Sequence, residues 1–124
     1  MPKSPTSLPS EDTQEMICRV VHEALRAYGI AIGQSPLPTW NRAPKWMKKS
    51  TLDSVVSVFE DPDQTPGRQH RQWMEAKLAD GWRKGAIKDA VKKTHPLMIP
   101  FEDLPAEEQR KDTILLALVR SFMD

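Results

Sequence analysis

The stretch TPGRQHRQWMEAKLADGW, residues 65–82, reads as a complete helix with its own start and stop signals. Thr65 stands at the cap and Pro66 at the first helical position, where a missing N–H costs nothing. His70, Trp73, Met74, Lys77 and Leu78 recur at helical spacing and define an inward stripe, and Gly81 ends the element. Lys77 is the anomaly. It follows Trp73 by four residues on the face that should be dry, and an ammonium there is costly unless something meets it.

Three further helices flank this one. Ser10 caps a helix that ends at Gly29 or Gly33, with Glu11 and Asp12 at the positive end of its dipole. Its stripe is Ile17, Val20, Val21, Ala24, Leu25 and Tyr28. A second helix covers residues 44–60, with Leu52, Val55, Val56 and Phe59 on one face. Asp61-Pro62 stops it, because the residue before proline is pushed out of helical geometry. The last helix starts at Leu104-Pro105, with Glu107 and Glu108 in its first turn. Ile114, Leu115, Leu118, Val119 and Phe122 form its stripe, and Leu116 and Ala117 widen it, so it should be central.

Between these helices the pattern changes. Residues 34–44 form a proline-rich connection that Trp40 should pin to the body. From 82 to 100 there is no helical period. Two short strands, near 82–87 and 94–99, joined by a charged loop at 88–93, predict a β-hairpin. Residues 1–10 are rich in proline and serine and read as a disordered tail. The fold class is therefore mainly α: a four-helix domain, residues 11–124, with one short two-stranded hairpin at about 82–99.

Composition narrows the function. At 124 residues the chain suits one domain with one core. Its formal net charge of +1 speaks against a generic nucleic-acid binder, as does the acidic start of the last helix. The charge is unevenly placed, however. Residues 40–50 carry Arg42, Lys45, Lys48 and Lys49 without an acid, and residues 66–98 carry eight Lys or Arg against Glu75, Asp80 and Asp89. If these segments meet, they make a local positive site fit for a small anion. Cys18 is the only cysteine, and no apolar run is long enough to span a membrane, so a reducing cytoplasm is the expected setting.

Catalytic patterns are weak. His22, His70 and His95 fall in no metal-binding spacing, and a Cys18–His22–Glu23 hydrolase centre ranks last among the readings. No catalytic residue, metal or cofactor is expected. Binding is better supported: the four tryptophans, Trp40, Trp46, Trp73 and Trp82, all stand in or beside basic segments. Indole faces next to Lys and Arg suit a stacked base with phosphates. They equally suit a small helical core with lysine stems laid over it. Trp46 and Trp82 read first as core residues, whereas Trp40 and Trp73 fit either role.

Four segments taken together, HEALRAY (22–28), PTWNRAPKW (38–46), HRQWMEAKLADGW (70–82) and KKTHPLMIPFEDLP (92–105), resemble the ryanodine-receptor repeat domain. The ordered set Trp73, Lys77, Gly81-Trp82, Gly85, His95-Pro96 and Leu104-Pro105 carries the likeness, which extends over residues 14–122. The resemblance implies a helical domain with a short hairpin. Copies in animal calcium-release channels occur as tandem pairs, and short stand-alone versions, which this chain looks like, occur in bacteria and their viruses. The family has been proposed to sense nucleotide-derived signals, including cyclic ADP-ribose, and is not known as an enzyme family. Its ligand contacts are associated with the tryptophan helix, here Trp73 and its neighbours. One departure is Lys84, where the family usually has an aromatic.

The expectation is thus a non-enzymatic binder of an adenine nucleotide, ADP-ribose or cyclic ADP-ribose. Trp73, and with it Trp40, would stack on the base. Lys77 would meet phosphates, Lys88 would supply the rim, and His70, Trp82 and His95 complete the candidate set. A lone repeat could pair as a homodimer. The alternative is a protein-interaction module that docks an acidic partner.

Overall fold

Ser10 opens the first helix as expected: its hydroxyl accepts a hydrogen bond from the Thr13 N–H at 3.3 Å. In the computed structural model, which describes residues 7–123, this helix α1 is Glu11–Ala31. Of the tail expected at 1–10, residues 1–6 lie outside the described residues; 7–10 are in neither helix nor strand. The buried face of α1 is Ile17, Cys18, Val21, His22 and Gly29. Val20 of the predicted stripe is exposed instead, its place taken by Cys18 and by His22, whose Nε2 bonds the Pro38 carbonyl at 2.7 Å. The 34–44 connection is pinned as predicted. Trp40 is buried in a 3-10 turn, Trp40–Arg42, and its backbone N–H donates to Glu23 Oε2 at 3.1 Å. Glu23 is therefore a tether for the connection.

Helix α2, Lys45–Glu60, ends at Asp61 before Pro62, and buries Val55, Val58 and Phe59. Helix α3, Pro66–Ala79, begins where the Thr65 side chain accepts from Arg68 N at 3.2 Å. It closes by a reciprocal pair of backbone bonds: Trp82 N–H to Lys77 O at 2.9 Å, and Gly81 N–H to Leu78 O at 3.0 Å. This six-to-one and five-to-two pattern requires a left-handed residue between them, and Gly81 supplies it at φ +88°.

The predicted hairpin is not one. Strands β1, Arg83–Lys84, and β2, Thr94–His95, pair in parallel, with Arg83 opposite Thr94 and Lys84 opposite His95. The reversal lies inside the loop. The Asp89 carboxylate accepts from the N–H groups of Val91 and Lys92, Lys93 takes φ 55°, and Asp89 bridges Thr94 in antiparallel fashion. Asp89 thus occupies one edge of β2, leaving β1 to pair along the other. Gly85 serves this approach: a Cβ there would stand 2.6 Å from Thr94 Cβ.

Helix α4, Ala106–Arg120, packs against α1, α2 and α3, so it is central. Its Leu115, Leu116 and Val119 meet Ile17, Val21, Val55 and Val58 in the core. At its C-terminal end Arg120 donates to the carbonyls of Pro62 (2.8 Å) and Gln64 (2.6 Å), which fixes the turn between α2 and α3. Among the described residues, no helix is long and apolar enough to cross a membrane.

Candidate ligand-binding site

Because the α3 closure places Trp82 directly above the last turn, its ring lands on Lys77. The Lys77 ammonium lies 4.5 Å from the Trp82 ring centre and 4.8 Å from that of Trp46 on α2. The two indoles stand 5.2 Å apart and enclose it. Only 7% of Lys77 is exposed. Burial first, and then the nearby Lys88, hold its pKa below the ordinary lysine value. The buried ammonium is thus covered by two indoles, and the charges of Asp80 and Asp53 offset its burial only in part.

One turn earlier on α3, His70 and Trp73 stack with ring centres 5.4 Å apart, and His95 from β2 meets Trp73 edge-on at 5.0 Å. His70 is anchored by its Nε2–H, which donates to Ile99 O at 2.7 Å. Nδ1 of His95 accepts from the Leu97 N–H at 3.1 Å. Burial and the surrounding lysines push the His95 pKa down to about 4, so the ring is neutral at pH 7. With Nδ1 accepting, its proton resides on Nε2, which leaves that nitrogen a donor.

These rings form one wall of a cavity of about 470 Å³ between α1, α2, α3, α4 and β2. Its apolar lining includes Val21, Leu25, Pro96, Leu97 and Leu115. The charged lining is Arg26, Lys88, Lys111, Glu108 and Asp112. Glu108 is spoken for: it pairs with Lys111 at 2.9 Å and accepts from the Gln34 amide, whose own oxygen takes Lys111 Nζ at 2.7 Å. Asp112 has no such support. Burial, and next the charge of Glu108, push its carboxyl up to about 7, against the pull of Lys111. At neutral pH the cavity therefore carries more positive than negative charge.

Of the residues expected from the sequence, Trp73, His70, Lys88 and His95 converge on this cavity. Lys77 does not line it; it lies on an adjoining groove, inside its indole cage. Trp40 and Trp82 line neither depression. Trp40 is consumed by packing on His22, with ring centres 5.6 Å apart, and Trp82 by the cage. Arg26, Gln34, Glu108, Lys111 and Asp112 were not singled out by sequence. A signal existed for the acids: Glu108, Asp112 and Leu115 fall at i, i+4 and i+7, on the inner face of α4.

The Cys18–His22–Glu23 group has a structural explanation for each member. The Cys18 thiol is buried and its pKa is pushed up to about 11, chiefly by burial, so almost none is thiolate at neutral pH. His22 holds the Pro38 carbonyl and Glu23 holds Trp40. Among the described residues, no group of three or more His, Cys, Asp or Glu side chains is placed to hold a metal ion.

A mainly helical domain with a ligand-sized cavity against a Trp–His wall is the class that this geometry defines. Residues 62–120, just under half of the chain, match the family model described as the RyR domain. The span holds α3, the β pair and α4. Helix α1, the Trp40 connection and all of α2 lie outside it, yet they supply Arg26, Gln34 and Trp46. No curated protein matches the chain.

Proposed function

We propose that this domain binds a small nucleotide-type ligand in the cavity beside Trp73, holding it without chemical change. The observation that supports this reading most is the pairing of the Trp73–His95 wall with Lys88 around one space of about 470 Å³, which Arg26 and the Glu108-paired Lys111 also line. Ligand pockets commonly span about 300–1,000 Å³. An indole stacks on a purine of any identity, the neutral His95 offers one N–H, and Lys88 faces phosphate oxygens. The setting we propose is the cytoplasm, in keeping with the single cysteine and its buried thiol.

Isothermal calorimetry and thermal shift with ADP, ATP, NAD, ADP-ribose and cyclic ADP-ribose test the reading. A ligand at 100 times its dissociation constant stabilises the fold by about 2.7 kcal/mol. Trp73→Ala should weaken binding at least about tenfold, with the helical circular dichroism preserved. Silence from all five compounds at millimolar concentration would remove the nucleotide reading and leave the docking of an acidic protein partner in its place.

A further inference from the structure

The loop between β1 and β2 contributes nothing to the hydrophobic core, yet its backbone is fixed. The Asp89 carboxylate accepts from the N–H groups of Val91 and Lys92 at 2.9 and 3.1 Å. Asp89 also exchanges two backbone bonds with Thr94, each 3.0 Å, and Thr94 Oγ1 donates to Ile87 O at 2.8 Å. This frame holds two aliphatic side chains outward. Ile87 is 74% exposed and Val91 94%, the highest values among the large apolar side chains of the described residues.

Cations accompany them. Residues 83–93 hold five Lys or Arg and one acid, a local charge of +4 in a chain of formal net charge +1, so the remainder is net negative. Two of the five are engaged: the Lys93 ammonium donates to Asp80 O at 2.8 Å, and that of Lys88 lies 5.6 Å from the Trp46 ring centre. Arg83, Lys84 and Lys92 are exposed and pair with no carboxylate among the described residues. The acid of the loop, Asp89, is occupied by the amides of its own turn.

We infer that this loop docks the domain onto an anionic lipid surface. Ile87 and Val91 enter the headgroup layer, and Arg83, Lys84 and Lys92 face lipid phosphates and carboxylates. A protruding aliphatic tip suits a surface that yields around it, whereas a protein partner would need a matching pocket. Protein interfaces are also poor in lysine and rich in aromatic residues, the reverse of this loop. Aliphatic side chains beside Lys and Arg are what lets interfacial segments rest on anionic lipid, and each cation near such a surface adds to the attraction. The contact is peripheral and salt-sensitive. It does not depend on the cavity reading, because none of these five side chains lines the cavity.

Sedimentation of the whole chain with vesicles tests the docking, using phosphatidylcholine alone and an equal mixture with phosphatidylserine at low ionic strength. Wild type should bind the mixed vesicles at least about tenfold more strongly than the neutral ones. The double variants Ile87→Ser/Val91→Ser and Lys84→Gln/Lys92→Gln should each weaken that binding about tenfold. All four side chains are exposed, so the helical circular dichroism should be preserved in both. No binding of wild type to the mixed vesicles would overturn the proposal. Polyglutamate, run beside the vesicles, separates lipid from acidic protein. Equal binding to it, unmoved by Ile87→Ser/Val91→Ser, would assign the loop to an acidic protein surface instead. Self-association that Ile87→Ser/Val91→Ser abolishes in sedimentation velocity would give the tip to a second copy of the chain and equally remove the lipid.

Discussion

Trp82 caps Lys77 twice: its backbone N–H takes the Lys77 carbonyl at 2.9 Å, and its ring covers the Lys77 ammonium at 4.5 Å. The first contact causes the second, because the left-handed Gly81 folds the chain back over the last turn of α3. Trp46 closes the cage from α2, so three segments are joined by one cation.

The cage predicts an asymmetry in stability. Trp82→Ala should cost about 3–5 kcal/mol, since it opens a cavity and strips a cover from a buried charge. Lys77→Met should be close to neutral, within about 1.5 kcal/mol, because it removes the desolvated ammonium and keeps a stem that fills the same space. Urea denaturation of both variants checks this. A loss for Lys77→Met as large as that for Trp82→Ala would mean that the cation is a main source of stability there.

The cage also shows where sequence reasoning stopped. That Lys77 needed a partner was legible from its place four residues after Trp73. Which partner it found was not, because Trp46 arrives from another helix and Trp82 through a closure that only coordinates display. Helix limits were legible for the opposite reason: Ser10, Thr65 and Asp61-Pro62 act within a few residues of themselves. The apolar stripes were read less well. Val20 and Leu52 are exposed, and no rule forbids an apolar side chain at the surface. The strand pairing was missed because Asp89 makes the turn through its side chain, and the reading weighed only glycines and charge. Glu108 was placed only in the first turn of the last helix, where it faces inward to Lys111 and Gln34.

The β pair depends on one close approach. Gly85→Ala places a methyl 2.6 Å from Thr94 Cβ, and neither atom is at the end of a flexible chain. The variant should lose about 1–3 kcal/mol. Thr94→Gly removes the obstructing side chain, so the double variant should be more stable than the two single losses predict. Simple additivity in a double-mutant cycle would show that Gly85 is needed for another reason.

The last prediction concerns pH. Asp112 is faced by Glu108 and Lys111 on its own helix and shares its cavity with Arg26, Lys88, His70 and His95. Its carboxyl, raised from the ordinary 3.8 to about 7, keeps a proton that the unfolded chain has already released. Stability from this group is therefore present at low pH and is lost as pH rises through 7. His95, depressed from 6.5 to about 4, works in the other direction, with stability present above 6.5 and lost as pH falls toward 4. The wild type should show these slopes partly cancelled. Asp112→Asn removes the first and keeps the second, so its stability relative to wild type should grow from pH 5 to pH 8, to on the order of 2 kcal/mol. An anionic ligand should follow the same proton: affinity falls between pH 6 and pH 8 as Asp112 ionises, and the fall disappears in Asp112→Asn. Thermal denaturation across that range, with and without ADP, reads both effects. A stability difference independent of pH would show that Asp112 ionises normally and that the cavity tolerates its charge.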